Sequence, residues 1–191
     1  QKKEIAAAVK AIDAGDIAAT NSQIAAAEAV MGGKTYLEEP AVLEQYYYAK
    51  GLALLKSGKN AEGAAYLAKM SELGKEKIYT GKDSSKTKVY YVGKAAADQS
   101  GIQGLKEDTY VPVLTSRIGN TINPLIEAAN KTAMNAYTAK NYAAAAPKFK
   151  EVYDLLKAGG QDNKQYLYYS GLNYALAEKK DEAIDVYNQL I

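Results

Sequence analysis

Apolar residues recur along most of this chain at intervals of three and four, broken by short polar turns. Ile5, Val9 and Ile12 mark one stripe in EIAAAVKAIDAGD (4–16), and Ile17, Ile24 and Val30 a second in IAATNSQIAAAEAVMGG (17–33). That spacing is the period of an amphipathic helix, and the alanines between the stripes favour the same state. Gly15-Asp16 reads as a turn whose aspartate caps the second helix, and Gly32-Gly33 as its stop. The loop GKTYLEEPA (33–41) leads through Pro40 into the next helix.

The same plan then repeats. VLEQYYYAKGLALLKSG (42–58) and AEGAAYLAKMSELG (61–74) are predicted helices around a turn at Gly58-Lys59-Asn60, with Gly74 as the stop. NPLIEAANKTAMNAYTAKN (123–141) and YAAAAPKFKEVYDLLKAGG (142–160) form a third pair. Asn123-Pro124 is its expected cap and first turn, Gly159-Gly160 its end, and Pro147 is expected to delay or bend the second helix. QYLYYSGLNYALAEKK (165–180) and DEAIDVYNQLI (181–191) form the last pair. QYLYYSGL (165–172) nearly repeats QYYYAKGL (45–52), which makes these strings equivalent first helices of two repeats. The predicted organisation is one domain, 1–191, with helix pairs at 1–33, 42–77, 123–160 and 164–191.

Within the pairs a register of small and large residues recurs. It runs Ala8, Ala11, Thr20, Ile24; then Gly51, Leu54, Gly63, Leu67; then Ala133, Ala136, Ala145, Phe149; and finally Gly171, Tyr174, Ala183, Tyr187. Small residues let paired helices approach closely while large ones fill the space between pairs. This pattern resembles the tetratricopeptide repeat family. The resemblance implies an all-α fold, a right-handed solenoid of antiparallel helix pairs. Glycines replace the proline that usually ends each repeat, and the repeat spacing exceeds the 34 residues of the family.

The interval from Gly51 to Ala133 is twice the others and leaves room for one more unit near Gly93. VYYVGKAAADQSG (89–101) looks like another first helix, but Pro112 stands where its partner should run. IYTG (78–81), KVYYVG (88–93) and TYVPVL (109–114) have strand-like content instead. The segment 78–122 is therefore either a degenerate repeat or an irregular insertion. Ile191 falls inside its helix with no stop, which gives the expectation of a longer parent chain.

Composition narrows function. The chain is 48% hydrophobic and 24% charged with a net charge of +2, and Arg117 is its one arginine. No strong field for nucleic acid arises, and the guanidinium forks of base readout are missing. There is no histidine and no cysteine, which removes imidazole bases, thiol nucleophiles, disulfides and the usual zinc ligands. The acidic pairs Asp13/Asp16 and Glu38/Glu39 read as polar turns rather than catalytic carboxylates. No enzyme activity, cofactor or metal is expected, and no apolar run approaches the roughly 18 residues of a membrane helix. Gln1 in place of an initiator methionine gives the expectation of an exported protein of the periplasm or cell envelope.

Seventeen tyrosines stand against one phenylalanine and no tryptophan. Consecutive aromatics such as Tyr46, Tyr47 and Tyr48 point around a helix, so some must reach solvent or a groove. The family resemblance implies ligand contacts on the concave face of the first helices. Carried onto this chain, that face holds Tyr48, Leu52, Asn130, Met134, Tyr137, Tyr168 and Leu172. A face of this kind suits an apolar helix or extended peptide. The expected function is a non-catalytic protein-interaction scaffold with a protein or peptide partner. The alternative is a glycan- or small-molecule-binding module that uses the tyrosine-rich groove.

Overall fold

Turn chemistry cuts the chain into helices much as the pattern foretells. A computed structural model describes all residues from 1 to 191. The first two helices, α1 (Lys2–Asp13) and α2 (Ile17–Met31), meet at Asp16, whose side chain accepts the Ala19 N–H at 2.9 Å. The α2 helix ends at Gly32 in the left-handed conformation, φ 55°, where a side chain would be strained. A single 3-10 turn, Thr35–Leu37, interrupts the following loop, and Pro40 opens α3 (Pro40–Lys56). Next come α4 (Asn60–Lys75), α5 (Lys94–Gln99), α6 (Gly119–Thr138), α7 (Tyr142–Ala158), α8 (Lys164–Leu176) and α9 (Lys180–Asn188). The chain is mostly helical, and consecutive helices pack against each other within α1–α4 and within α6–α9.

The register of small residues is where the helices cross. Ala8, Gly51, Ala133 and Gly171 are all buried, as are Thr20, Gly63, Ala145 and Ala183. A Cβ built on Gly51 would lie 2.7 Å from the Leu67 side chain, and one on Gly63 2.8 Å from the Gly51 carbonyl oxygen. On Gly171 it would strike the Tyr187 ring at 2.5 Å. These glycines are needed for close approach, not for an unusual backbone angle.

Helices do not account for the whole chain. Residues 78–108 carry three short strands, β1 (Ile78–Lys82), β2 (Lys88–Val92) and β3 (Lys106–Asp108), in the antiparallel order β2-β1-β3. Ile78 pairs with Val92 on one side and Asp108 on the other. The turn between β1 and β2 is closed by the Asp83 side chain, which accepts the N–H groups of Ser85 and Thr87, both at 2.9 Å. VYYVGKAAADQSG is thus not one helix: its tyrosines belong to β2, and Gly93, at φ 86°, breaks the chain before the short α5. TYVPVL runs on without pairing into the sheet.

Other expectations shift for local reasons. Gly74 does not stop α4, which continues to Lys75; Pro112 packs on it instead, 2.7 Å from where a Cβ would stand. The α6 helix begins at Gly119, before Asn123-Pro124, and α7 runs through Pro147. Each proline sits within the first two turns, so the carbonyl it leaves without a partner belongs to the opening turn and disrupts little. Contacts divide the chain into two compact units, Gln1–Arg117 and Ile118–Ile191. The first holds α1–α5 and the sheet, the second α6–α9.

Candidate binding site

The residues implied by the family resemblance fall into two groups. Tyr48 and Leu52, on α3, are buried in the first unit. Tyr48 donates from its hydroxyl to Asp13 at 2.7 Å, and Arg117 reaches the other Asp13 oxygen at 3.3 Å. Both side chains are occupied by packing and offer almost no surface to a partner. In the second unit, Asn130 and Leu172 are partly buried, whereas Met134, Tyr137 and Tyr168 remain 47%, 44% and 49% exposed. Tyr137 rests against Tyr142 with ring centroids 6.0 Å apart, and Tyr168 against Tyr187 at 6.4 Å.

Like Tyr48, four more tyrosines tie their hydroxyl to a carboxylate. Tyr46 donates to Glu28 at 2.6 Å, Tyr79 to Glu107 at 3.0 Å, Tyr153 to Asp162 at 2.7 Å, and Tyr110 to Glu44. Glu44 is fully buried on α3 and also accepts the N–H groups of Val113 and Leu114 at 2.7 and 2.6 Å. It anchors the 110–114 segment on the helix. Glu38, expected in an open turn, is likewise buried and accepts the Gln1 amide at 2.6 Å.

Lys50 is closed off in the same way. It binds Glu28 and lies 4.6 Å above the Tyr66 ring, which meets Tyr46 edge-on. Burial alone would lower its ammonium; hydrogen bonds to Glu28 and Tyr66 outweigh that and hold it above the ordinary value. An amine held protonated is no nucleophile.

These phenols set the alkaline limit of the fold. Burial first, then the charge of Glu72, pushes Tyr47 up to about 12; burial and the bond to Asp13 push Tyr48 to about 12 as well. The unfolded chain releases such protons near pH ~10 and the folded chain only near 12, so stability is whole below about 10 and falls as pH rises through that window. Denaturant midpoints should be level from about pH 8 to 9 and drop steadily above about 10. Tyr48→Phe should make the drop shallower. Midpoints that stay level to about pH 12 would contradict the assignment.

Of the tyrosines without such a bond, four meet in one place. Tyr36 from the 3-10 turn, Tyr47 from α3, and Tyr90 and Tyr91 from β2 line one cleft of about 530 Å³ in the first unit, with Leu43 and Val92 at its base. Its polar groups are Thr35, Gln99 and Ser100. Tyr36 and Tyr91 stack nearly parallel, with centroids 5.6 Å apart and planes 13° from each other. Tyr47 and Tyr90 are only 8% and 9% exposed, yet neither hydroxyl has a partner in the protein, nor do those of Tyr36 and Tyr91. No charged side chain lines this cleft. An adjoining recess of about 370 Å³ shares Tyr47 and Val92 but is bordered by Lys69, Glu72, Glu76 and Lys94.

Sequence reasoning missed this cleft because its walls come from four separate elements. The one available signal was the adjacent pair Tyr90-Tyr91 in a strand-like run. No group of acidic side chains is placed to hold a metal ion, and no helix is long and apolar enough to cross a membrane. No protein-family model, curated protein or solved structure matches the chain.

Proposed function

We propose that the protein is a non-catalytic interaction module of the tetratricopeptide-like type, with its helix pairs arranged as in a right-handed α-solenoid. It holds a partner protein through first-helix positions of the second unit. The observation that carries this reading is the exposure of Met134, Tyr137 and Tyr168. Met134 and Tyr137 lie one turn apart on α6, and Tyr168 stands on the first helix of the next pair. Large apolar groups left open on the first helices of consecutive pairs fit a docking surface better than chance exposure. Their chemistry suits an apolar helix or an extended apolar peptide. The buried carboxylates and Lys50 are each engaged by neighbours, which supports a module without catalysis.

The test is a paired capture from whole-cell extract of the source organism. One bait is the chain itself, and the other carries Met134→Ser, Tyr137→Ser and Tyr168→Ser, with circular dichroism confirming equal helicity. A protein held by the first bait and lost from the second is the expected result. If no protein distinguishes the two baits, the surface reading fails.

A further inference from the structure

We infer that the tyrosine cleft of the first unit is a binding site for a neutral sugar ring. Its free phenols and its uncharged lining set it apart from the tyrosines bound to carboxylates. Tyr46, Tyr48, Tyr79, Tyr110 and Tyr153 each give their hydroxyl to a carboxylate. Those of Tyr36, Tyr47, Tyr90 and Tyr91 have no partner in the protein, although the Tyr47 and Tyr90 rings are more than nine-tenths buried. Both hydroxyl oxygens reach solvent in the cleft, so their hydrogen-bonding capacity is open to whatever enters it.

The lining defines the occupant's chemistry. The stacked Tyr36 and Tyr91 rings both line the cleft and give it aromatic surface of the kind that packs on the C–H face of a pyranose. The phenols, with Thr35 and Gln99, supply donors and acceptors for its hydroxyls, while the Ser100 hydroxyl is already bonded to the Ala97 carbonyl and the Ile102 N–H. A charged ligand would be desolvated there without a counter-charge, and that is costly; a purely apolar one would leave the phenols unpaired. The volume of about 530 Å³ lies in the ordinary range of small-molecule sites. Lys88 lies over the Tyr90 ring at 5.6 Å but outside the lining, so it does not change the neutral character of the walls.

This site is independent of the docking surface proposed above, and its test uses different residues. The probes are the methyl glycosides of glucose, galactose, mannose, xylose and N-acetylglucosamine, titrated against the isotope-labelled full chain by NMR. Glucose 6-phosphate and cyclohexanol serve as the charged and apolar controls. At least one glycoside should produce saturable shifts at residues of the 3-10 turn, β2 and α5, with both controls much weaker. Tyr47→Phe/Tyr90→Phe keeps both rings and breaks no internal hydrogen bond, so it should melt as the parent does while binding about tenfold more weakly. Three results would overturn the assignment: no glycoside shifting these resonances, the hexose phosphate binding as well as the neutral sugars, or the double Phe variant binding like the parent.

Discussion

Gly63→Ala should lower the unfolding midpoint of the first unit by roughly 10 °C, reversing the usual sign of this substitution. In an open helix, alanine for glycine stabilises by about 0.5–1 kcal/mol because the unfolded chain loses freedom. At Gly63 the added methyl lands 2.8 Å from the Gly51 carbonyl oxygen and 2.9 Å from the Leu55 backbone nitrogen. Neither atom can rotate away, so α3 and α4 must separate. Overpacking of this kind costs about 1–3 kcal/mol, and at a contact with backbone the upper end applies. At several degrees per kcal/mol for a unit of this size, the shift is large enough to read by calorimetry. Gly51→Ala should be milder, since its nearest neighbours at 2.7 Å are the terminal carbons of Leu67, which can shift. Gly119→Ala is the control: its Cβ would meet nothing closer than Asn123 Nδ2 at 3.7 Å, and its midpoint should hold or rise. A Gly63→Ala chain as stable as the parent would show that the crossing is not tight there.

The second large effect is at Glu44. Replacing it with alanine strands the Tyr110 hydroxyl and the N–H groups of Val113 and Leu114 together. An abandoned buried donor costs about 1–3 kcal/mol; the Leu114 N–H is buried and the other two donors are partly so, and a loss of roughly 3 kcal/mol is expected. Amide exchange at Leu114 locates the damage: it should accelerate by about a hundredfold or more in Glu44→Ala as the 110–114 segment opens. Glu44→Gln keeps an acceptor for both backbone groups but turns an NH2 toward Tyr110, whose hydroxyl must then accept, so it should cost about 1 kcal/mol. Equal Leu114 exchange in parent and alanine variant would mean that the segment is held by packing, with Pro112 on Gly74 as the alternative anchor.

How far the sequence foretold this arrangement depends on the range of the interaction. Gly51, Gly63 and Gly171 were legible because the pairing of a small residue with a large one repeats within a helix hairpin, where the partner is about a dozen residues away. Asp16 and Gly32 were legible because a helix end is settled by its own neighbours. Gly74 misled for the opposite reason: its partner Pro112 is distant in sequence, and a glycine kept for close contact looks the same as one kept for a stop. Tyr48 was expected to face outward because nothing in the periodicity of α3 reveals Asp13 waiting beneath it. The cleft was hidden more deeply. Tyr36 and Tyr91 stack across a sequence interval that holds two helices, and no local pattern announces that.

The small sheet has a further consequence for how anything can engage this unit. Its order leaves β3 as one outer rim, and Lys106, Glu107 and Asp108 are all exposed there, a run of charge that resists pairing with a foreign strand. On the opposite rim the 3-10 turn packs beside β2, with Tyr36 set against Tyr91. One border is guarded by charge and the other is capped by the chain itself. Strand exchange between copies, and fibril growth by templated pairing, are disfavoured at both borders.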